Sequence, residues 1–138
     1  MARLPDSMSN TFFLKKAKSN SCYYVGSGGM LKINSGSQRL ASGSIKVVRC
    51  KDNTIKICSQ LEGFFNGKAF EVKDEAHATK FQLFTYTGLD FFILCAMDGD
   101  DAGKWVVFRE YLECENVISE FADADRHLAA TKLHFISW

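Results

Sequence analysis

Most of this chain consists of short runs that are either apolar or alternate between apolar and polar residues with a period of two. Gly, Asn, Asp and Ser interrupt the alternation at intervals of about ten residues. Residues two apart share one face of an extended strand. Ile45 with Val47, Phe81 with Leu83, and Leu133 with Phe135 are therefore expected to face inward, and Lys46, Gln82 and His134 outward. Helical periodicity is scarce, and only Ser119 to Leu128 tolerates a helical turn. The pattern predicts twelve short antiparallel strands, near 11–16, 22–25, 30–34, 44–50, 54–59, 63–66, 69–73, 79–86, 91–96, 104–109, 116–121 and 131–137.

Set in three rows of four, these strands correspond. First strands carry Phe12-Phe13-Leu14, Ile55-Lys56-Ile57 and Phe92-Ile93-Leu94, so Phe12 recurs as Ile55 after 43 residues and Ile55 as Phe92 after 37. Second strands are short and aromatic, as in Tyr23-Tyr24, Phe64-Phe65 and Trp105 to Phe108. Two fourth strands open alike, with Ala78-Thr79-Lys80-Phe81 and Ala130-Thr131-Lys132-Leu133, whereas the first repeat has Ala41-Ser42-Gly43-Ser44-Ile45. A period near forty signals one supersecondary unit repeated, and such a unit buries its apolar face only against its neighbours.

Three four-stranded repeats, each closing on an apolar strand like Lys80-Phe81-Gln82-Leu83-Phe84, resemble a β-trefoil. That resemblance covers residues 11–138 as one domain, with repeats at about 11–50, 53–87 and 90–138, after a flexible tail at 1–10. It implies an all-β fold with pseudo-threefold symmetry, six strands forming a barrel and six capping it as three hairpins. The rival all-β architecture is a lipocalin-like barrel. It calls for Gly-x-Trp near its start, and neither Trp105 nor Trp138 stands there.

Composition narrows the function. With 46% apolar residues and 12 Phe in 138, one core is well supplied. The formal charge of +1 lacks the basic excess of a nucleic-acid binder. No run approaches the ~18 apolar residues of a membrane span, and Met1 to Asn10 lacks the apolar stretch of a signal peptide. Five cysteines (Cys22, Cys50, Cys58, Cys95, Cys114) without CxxC spacing fit neither a zinc site nor a disulfide scaffold. They point to a reduced, cytoplasmic setting, with leaderless secretion as the alternative.

The chemistry-bearing positions are few. Asp98-Gly99-Asp100-Asp101 offers carboxylates for Ca²⁺, but the position where an EF-hand loop needs its last carboxylate holds Arg109, so a hairpin turn is expected. His77, His127 and His134 do not sit at ligand spacing. Gly26-Ser27-Gly28-Gly29 joins two strands, with no helix to receive a phosphate. No catalytic residue, metal or cofactor is assigned. A tryptophan beside acidic residues can stack a sugar ring while the carboxylates take its hydroxyls. Asp98, Asp100, Asp101 and Trp105 form the candidate ligand site on that ground. Arg109 and Tyr111, in the charged insertion Phe108 to Asn116 of the long third repeat, complete it.

The trefoil resemblance then implies a non-enzymatic binding protein with a glycan or protein partner. A ricin-type lectin would carry Gln-x-Trp in each repeat, and this chain has none. Gly67-Lys68-Ala69-Phe70 and Gly103-Lys104-Trp105-Val106 loosely resemble fascin-like repeats. The reading is therefore a lectin-like or fascin-like (actin-binding) module. The alternatives are a leaderless cytokine of the interleukin-one type, a trefoil protease inhibitor, or a small-ligand carrier if the fold is lipocalin-like.

Overall fold

Every predicted run forms an extended strand. The computed structural model describes residues 10–34, 44–85, 91–111 and 115–137. Its strands are β1 (Thr11–Lys16), β2 (Cys22–Val25), β3 (Leu31–Asn34), β4 (Ile45–Arg49), β5 (Ile55–Ser59), β6 (Phe64–Phe65), β7 (Phe70–Val72), β8 (Phe81–Thr85), β9 (Phe92–Ala96), β10 (Trp105–Glu110), β11 (Val117–Ala122) and β12 (Leu133–Ser137). The protein is all-β, with 51% strand. Its helical share consists of short 3₁₀ turns such as Glu75–His77 and His127–Ala129. Among the described residues, no helix is long and apolar enough to cross a membrane. The expected tail lies outside the described residues except for Asn10, whose carbonyl accepts the Val47 N–H. Ala41 to Gly43, Tyr86 and Cys114 also lie outside them.

Pairing is antiparallel throughout. β1 pairs with β4, β4 with β5, β5 with β8, β8 with β9, β9 with β12, and β12 with β1. These strands return on themselves, so each has a partner on both sides and none presents a free edge. The other strands form the hairpins β2–β3, β6–β7 and β10–β11, joined to the ring through β1, β5 and β9 respectively.

Alternation decides what fills the ring. Phe12, Leu14, Ile45, Val47, Ile57, Phe81, Leu83, Leu94 and Leu133 point inward, none more than 3% exposed. Burying each such side chain is worth roughly 1.5–3 kcal/mol. Each hairpin's first strand adds an aromatic beneath them. Tyr23 meets Phe108 edge-on at 5.0 Å, and Phe65 meets Phe108 at 6.1 Å.

The hairpins also touch one another in succession. Gly29, in the β2–β3 turn, lies against the Phe70 backbone of β7. The Ser119 hydroxyl on β11 donates to the Gly67 carbonyl of the β6–β7 turn at 2.6 Å. The Ile33 N–H of β3 donates to the Glu115 carbonyl at 2.8 Å, beside an antiparallel bridge between Lys32 and Asn116. The twin Ala-Thr-Lys segments are alike in structure too. Each follows a 3₁₀ turn and buries its alanine, Ala78 at 4% and Ala130 at 5%.

Gln82 lies on the outer face, as the alternation requires, yet it is only 5% exposed. Its register partner is Cys95, whose own partner on β10 is Trp105. Phe84, two residues along, meets the Trp105 ring at 5.3 Å. The outside of β8 and β9 is thus roofed by aromatic side chains, which a two-residue period cannot reveal.

Two substitutions test this packing. Gly28 and Gly29 both hold positive φ, but a Cβ at Gly28 meets nothing within 4 Å, whereas one at Gly29 would stand 2.3 Å from the Phe70 carbonyl oxygen. Gly28→Ala is expected to cost about 1–2 kcal/mol from its backbone conformation alone. Gly29→Ala should cost a further ~2 kcal/mol from the collision, read as the difference in urea unfolding free energy. Equal losses would mean that the hairpin does not press on β7. Among the described residues the buried Tyr23 hydroxyl has no hydrogen-bond partner, and burial, aided by the Glu110 charge, pushes its phenol well above the ordinary range. Tyr23→Phe removes that unpaired group and is expected to raise stability by about 1 kcal/mol. A loss on thermal unfolding would reveal a partner for the hydroxyl.

Candidate functional site

The acidic segment is a hairpin turn between β9 and β10. Ala96 N–H donates to the Lys104 carbonyl at 2.9 Å, Gly103 N–H donates back to Ala96 at 2.7 Å, and Gly99 and Gly103 take positive φ. Its carboxylates are partly engaged. Asp98 accepts the Lys80 backbone N–H at 2.9 Å, and Asp101 holds the Lys104 ammonium at 3.1 Å. Asp100 stays exposed. Among the described residues no group of three His, Cys, Asp or Glu side chains is gathered as for a metal ion.

Trp105 is half-buried and held from several sides. Its indole N–H donates to the Ala124 carbonyl at 3.0 Å, and the rings of Phe84 and His127 stand near it at 5.3 and 6.4 Å. Trp105 and Arg109 lie on the outer face of β10, and Tyr111 follows its last residue, six positions along the chain from Trp105. At ~3.3 Å per residue that is about 20 Å. The acidic turn and Tyr111 therefore occupy opposite ends of the β10–β11 hairpin, and the sequence-predicted set divides in two.

Tyr111 and Arg109 acquire other neighbours. Arg109 is the register partner of Ile118 and forms an ion pair with Glu120. Ile118 is 41% and Tyr111 52% exposed. The Lys32–Asn116 bridge brings β3 alongside β11, with Met30 two residues before it on one chain segment and Ile118 two residues after it on the other. Met30 is itself 51% exposed. On β2, Tyr24 is the register partner of Lys32, and its hydroxyl donates to the Glu115 carboxylate at 2.5 Å. The Lys32 stem lies close over Gly26, where a Cβ would stand 2.8 Å from its Cε. Two hairpins distant in sequence thus assemble one outer face carrying Tyr24, Met30, Lys32, Arg109, Tyr111 and Ile118.

Sequence reasoning found Arg109 and Tyr111 but missed the rest of this face. The available signal was an apolar residue at an outward position, Ile118, between the inward Val117 and Ser119.

Burial pushes the Cys58 and Cys95 thiols up, which reduces the thiolate a nucleophile needs. His77 rests on Asp74 at 2.9 Å at the surface, and His134 packs against the Phe91 ring at 4.3 Å. No family model matches this chain, and no curated protein is found as a relative.

The Tyr24–Glu115 hydrogen bond has a titration signature. Donation to a carboxylate, then burial and the carboxylate's charge, push the Tyr24 phenol from 10.0 up to about 12. The raised value means that the contact's stabilisation is complete below pH 10.0 and disappears as pH climbs from there to about 12. Followed by NMR of the phenolic carbon, Tyr24 should titrate near 12 in the native chain. It should return toward its ordinary value in Glu115→Gln. An unmoved value in that variant would show that the inter-hairpin bond is not formed.

Proposed function

We propose that this chain is a non-enzymatic binding module on a β-trefoil scaffold, and that it recognises a protein partner through the outer face shared by β2–β3 and β10–β11. The scaffold reading is supported by a self-closing path of six strands with a two-stranded hairpin attached at every second pairing. A lipocalin-like cup needs eight strands around a hollow, whereas this ring is filled by large apolar side chains.

One observation carries the functional reading: the Lys32–Asn116 bridge joins the two hairpins that carry exposed Met30, Ile118 and Tyr111 together with a lysine and an arginine. Scattered apolar residues on a surface are ordinary. A contiguous group rimmed by charge is the composition of protein contact sites, where Tyr, Met and Arg are enriched.

A glycan remains the second reading, favoured by exposed Asp100 beside the half-buried Trp105. It is the weaker one, because the indole N–H and two of the three neighbouring carboxylates already have partners within the chain.

Labelled full-length chain tested on cultured cells, on filamentous actin and on a glycan array separates these readings. The protein reading expects cell-surface or actin binding that Ile118→Asp weakens about tenfold or more, with Asp100→Asn unaffected. Glycan binding lost in Asp100→Asn and indifferent to Ile118→Asp would move the site to the acidic turn.

A further inference from the structure

The turn between β6 and β7 contains a chemically labile link. Of the six asparagines, only Asn66 is followed by glycine. Asparagine is a thermolabile residue, and glycine carries no side chain to hinder its own nitrogen. In an Asn-Gly link that nitrogen attacks the asparagine Cγ and loses its proton, the side-chain amide leaves as ammonia, and a succinimide ring remains. Water then opens the ring at either carbonyl. The products are aspartate, or isoaspartate with the chain rerouted through the side chain. One water is consumed and one ammonia released.

We infer that Asn66 is a modification site controlled by the docking of the second hairpin on the third. It stays intact while the hairpins are pressed together and deamidates when they part. Both reacting groups are held in the docked turn. The Asn66 Oδ1 accepts the N–H groups of Lys68 and Ala69 at 2.8 and 2.9 Å, and its Nδ2 donates to the Glu71 carboxylate at 2.7 Å. Gly67 is buried, and its carbonyl accepts the Ser119 hydroxyl of β11 at 2.6 Å. The Phe121 ring, also from β11, lies 2.0 Å from where a Gly67 Cβ would stand. Cyclisation draws the Asn66 Cγ into a ring with the Gly67 nitrogen. It must therefore break the Nδ2–Glu71 bond and move a glycine that Ser119 and Phe121 hold still.

The product does not fit the place it came from. Ionised aspartate has no donor. At residue 66 it sets a carboxylate against the Glu71 carboxylate, where an amide had donated. Isoaspartate also lengthens the backbone of a turn that the Asn66 N–H closes onto the Ala69 carbonyl at 3.1 Å. A parting that lasts long enough for the reaction therefore leaves the second hairpin loosened for good.

The test incubates the full-length chain in mildly alkaline buffer. Mass spectrometry of the peptide containing Asn66 follows amide loss, and enzymatic methylation detects isoaspartate. Deamidation in the folded chain is expected to be slower than in the urea-unfolded chain by about tenfold or more. Ser119→Ala, with its fold checked by circular dichroism, should quicken it about threefold or more. Equal rates in folded and unfolded chain would overturn the control by docking, as would a Ser119→Ala rate no higher than that of the parent. For the product, Asn66→Asp should lower the thermal unfolding midpoint. Glu71→Gln added to it should recover most of that loss, because the new amide donates to the new carboxylate. A loss untouched by Glu71→Gln would overturn the proposed clash.

Discussion

A two-stranded hairpin is at best marginally stable in water, and this molecule depends on three of them being pressed together. The contacts that do so are backbone-close: Gly29 on the Phe70 carbonyl, the Ser119 hydroxyl on the Gly67 carbonyl, and the Ile33 N–H on the Glu115 carbonyl. Where two of them rely on glycine, the reason is space as much as conformation. A Cβ at Gly67 would lie 2.0 Å from the Phe121 ring, and φ there is +95°. Beneath these contacts Tyr23, Phe65 and Phe108 meet, so each hairpin shares an aromatic centre with the others. Loosening one contact exposes a face of all three.

The strands were legible because a filled, closed ring imposes a strict demand. Every ring strand has an inner face that water does not reach, so its inward positions must be apolar, and the period of two survives even in a single sequence. Phe81 and Leu83, or Leu133 and Phe135, show it plainly. The outer surface has no such rule. Gln82 obeys the alternation in direction but not in exposure, because Phe84 and Trp105 roof that side of β8 and β9. Trp105, attractive in sequence as a sugar platform, is occupied with this roofing. Its neighbours Ala124 and His127 lie about twenty residues further along the chain.

The candidate face was illegible for a related reason. Tyr24, Met30 and Lys32 belong to the first hairpin, while Arg109, Tyr111 and Ile118 belong to the third. What joins them is the register of a bridge between Lys32 and Asn116. A shift of one residue there would turn Asn116 inward, with Val117 and Ser119 pointing out. Local pattern fixes which face of each strand is apolar, but not which strands of different hairpins lie level. The division of the predicted set follows from the same limit. Six residues along an extended chain look close in print and lie far apart in space.

Tyr23 and Tyr24 condense the relation between fold and function here. Adjacent in sequence and opposite in direction, one is 1% exposed with its hydroxyl unpartnered among the described residues, and the other reaches across to Glu115. Alternation assigns the first to the aromatic centre and the second to the surface. An unpaired buried hydroxyl costs roughly 1–3 kcal/mol, a cost that apolar packing against Phe108 offsets. The outward tyrosine, by contrast, spends its hydroxyl on a carboxylate from another hairpin. That bond fixes the Glu115 carboxylate, and the Arg109 guanidinium holds Glu120. The same inter-hairpin contact that stabilises the cap therefore also fixes where the cap presents a negative charge.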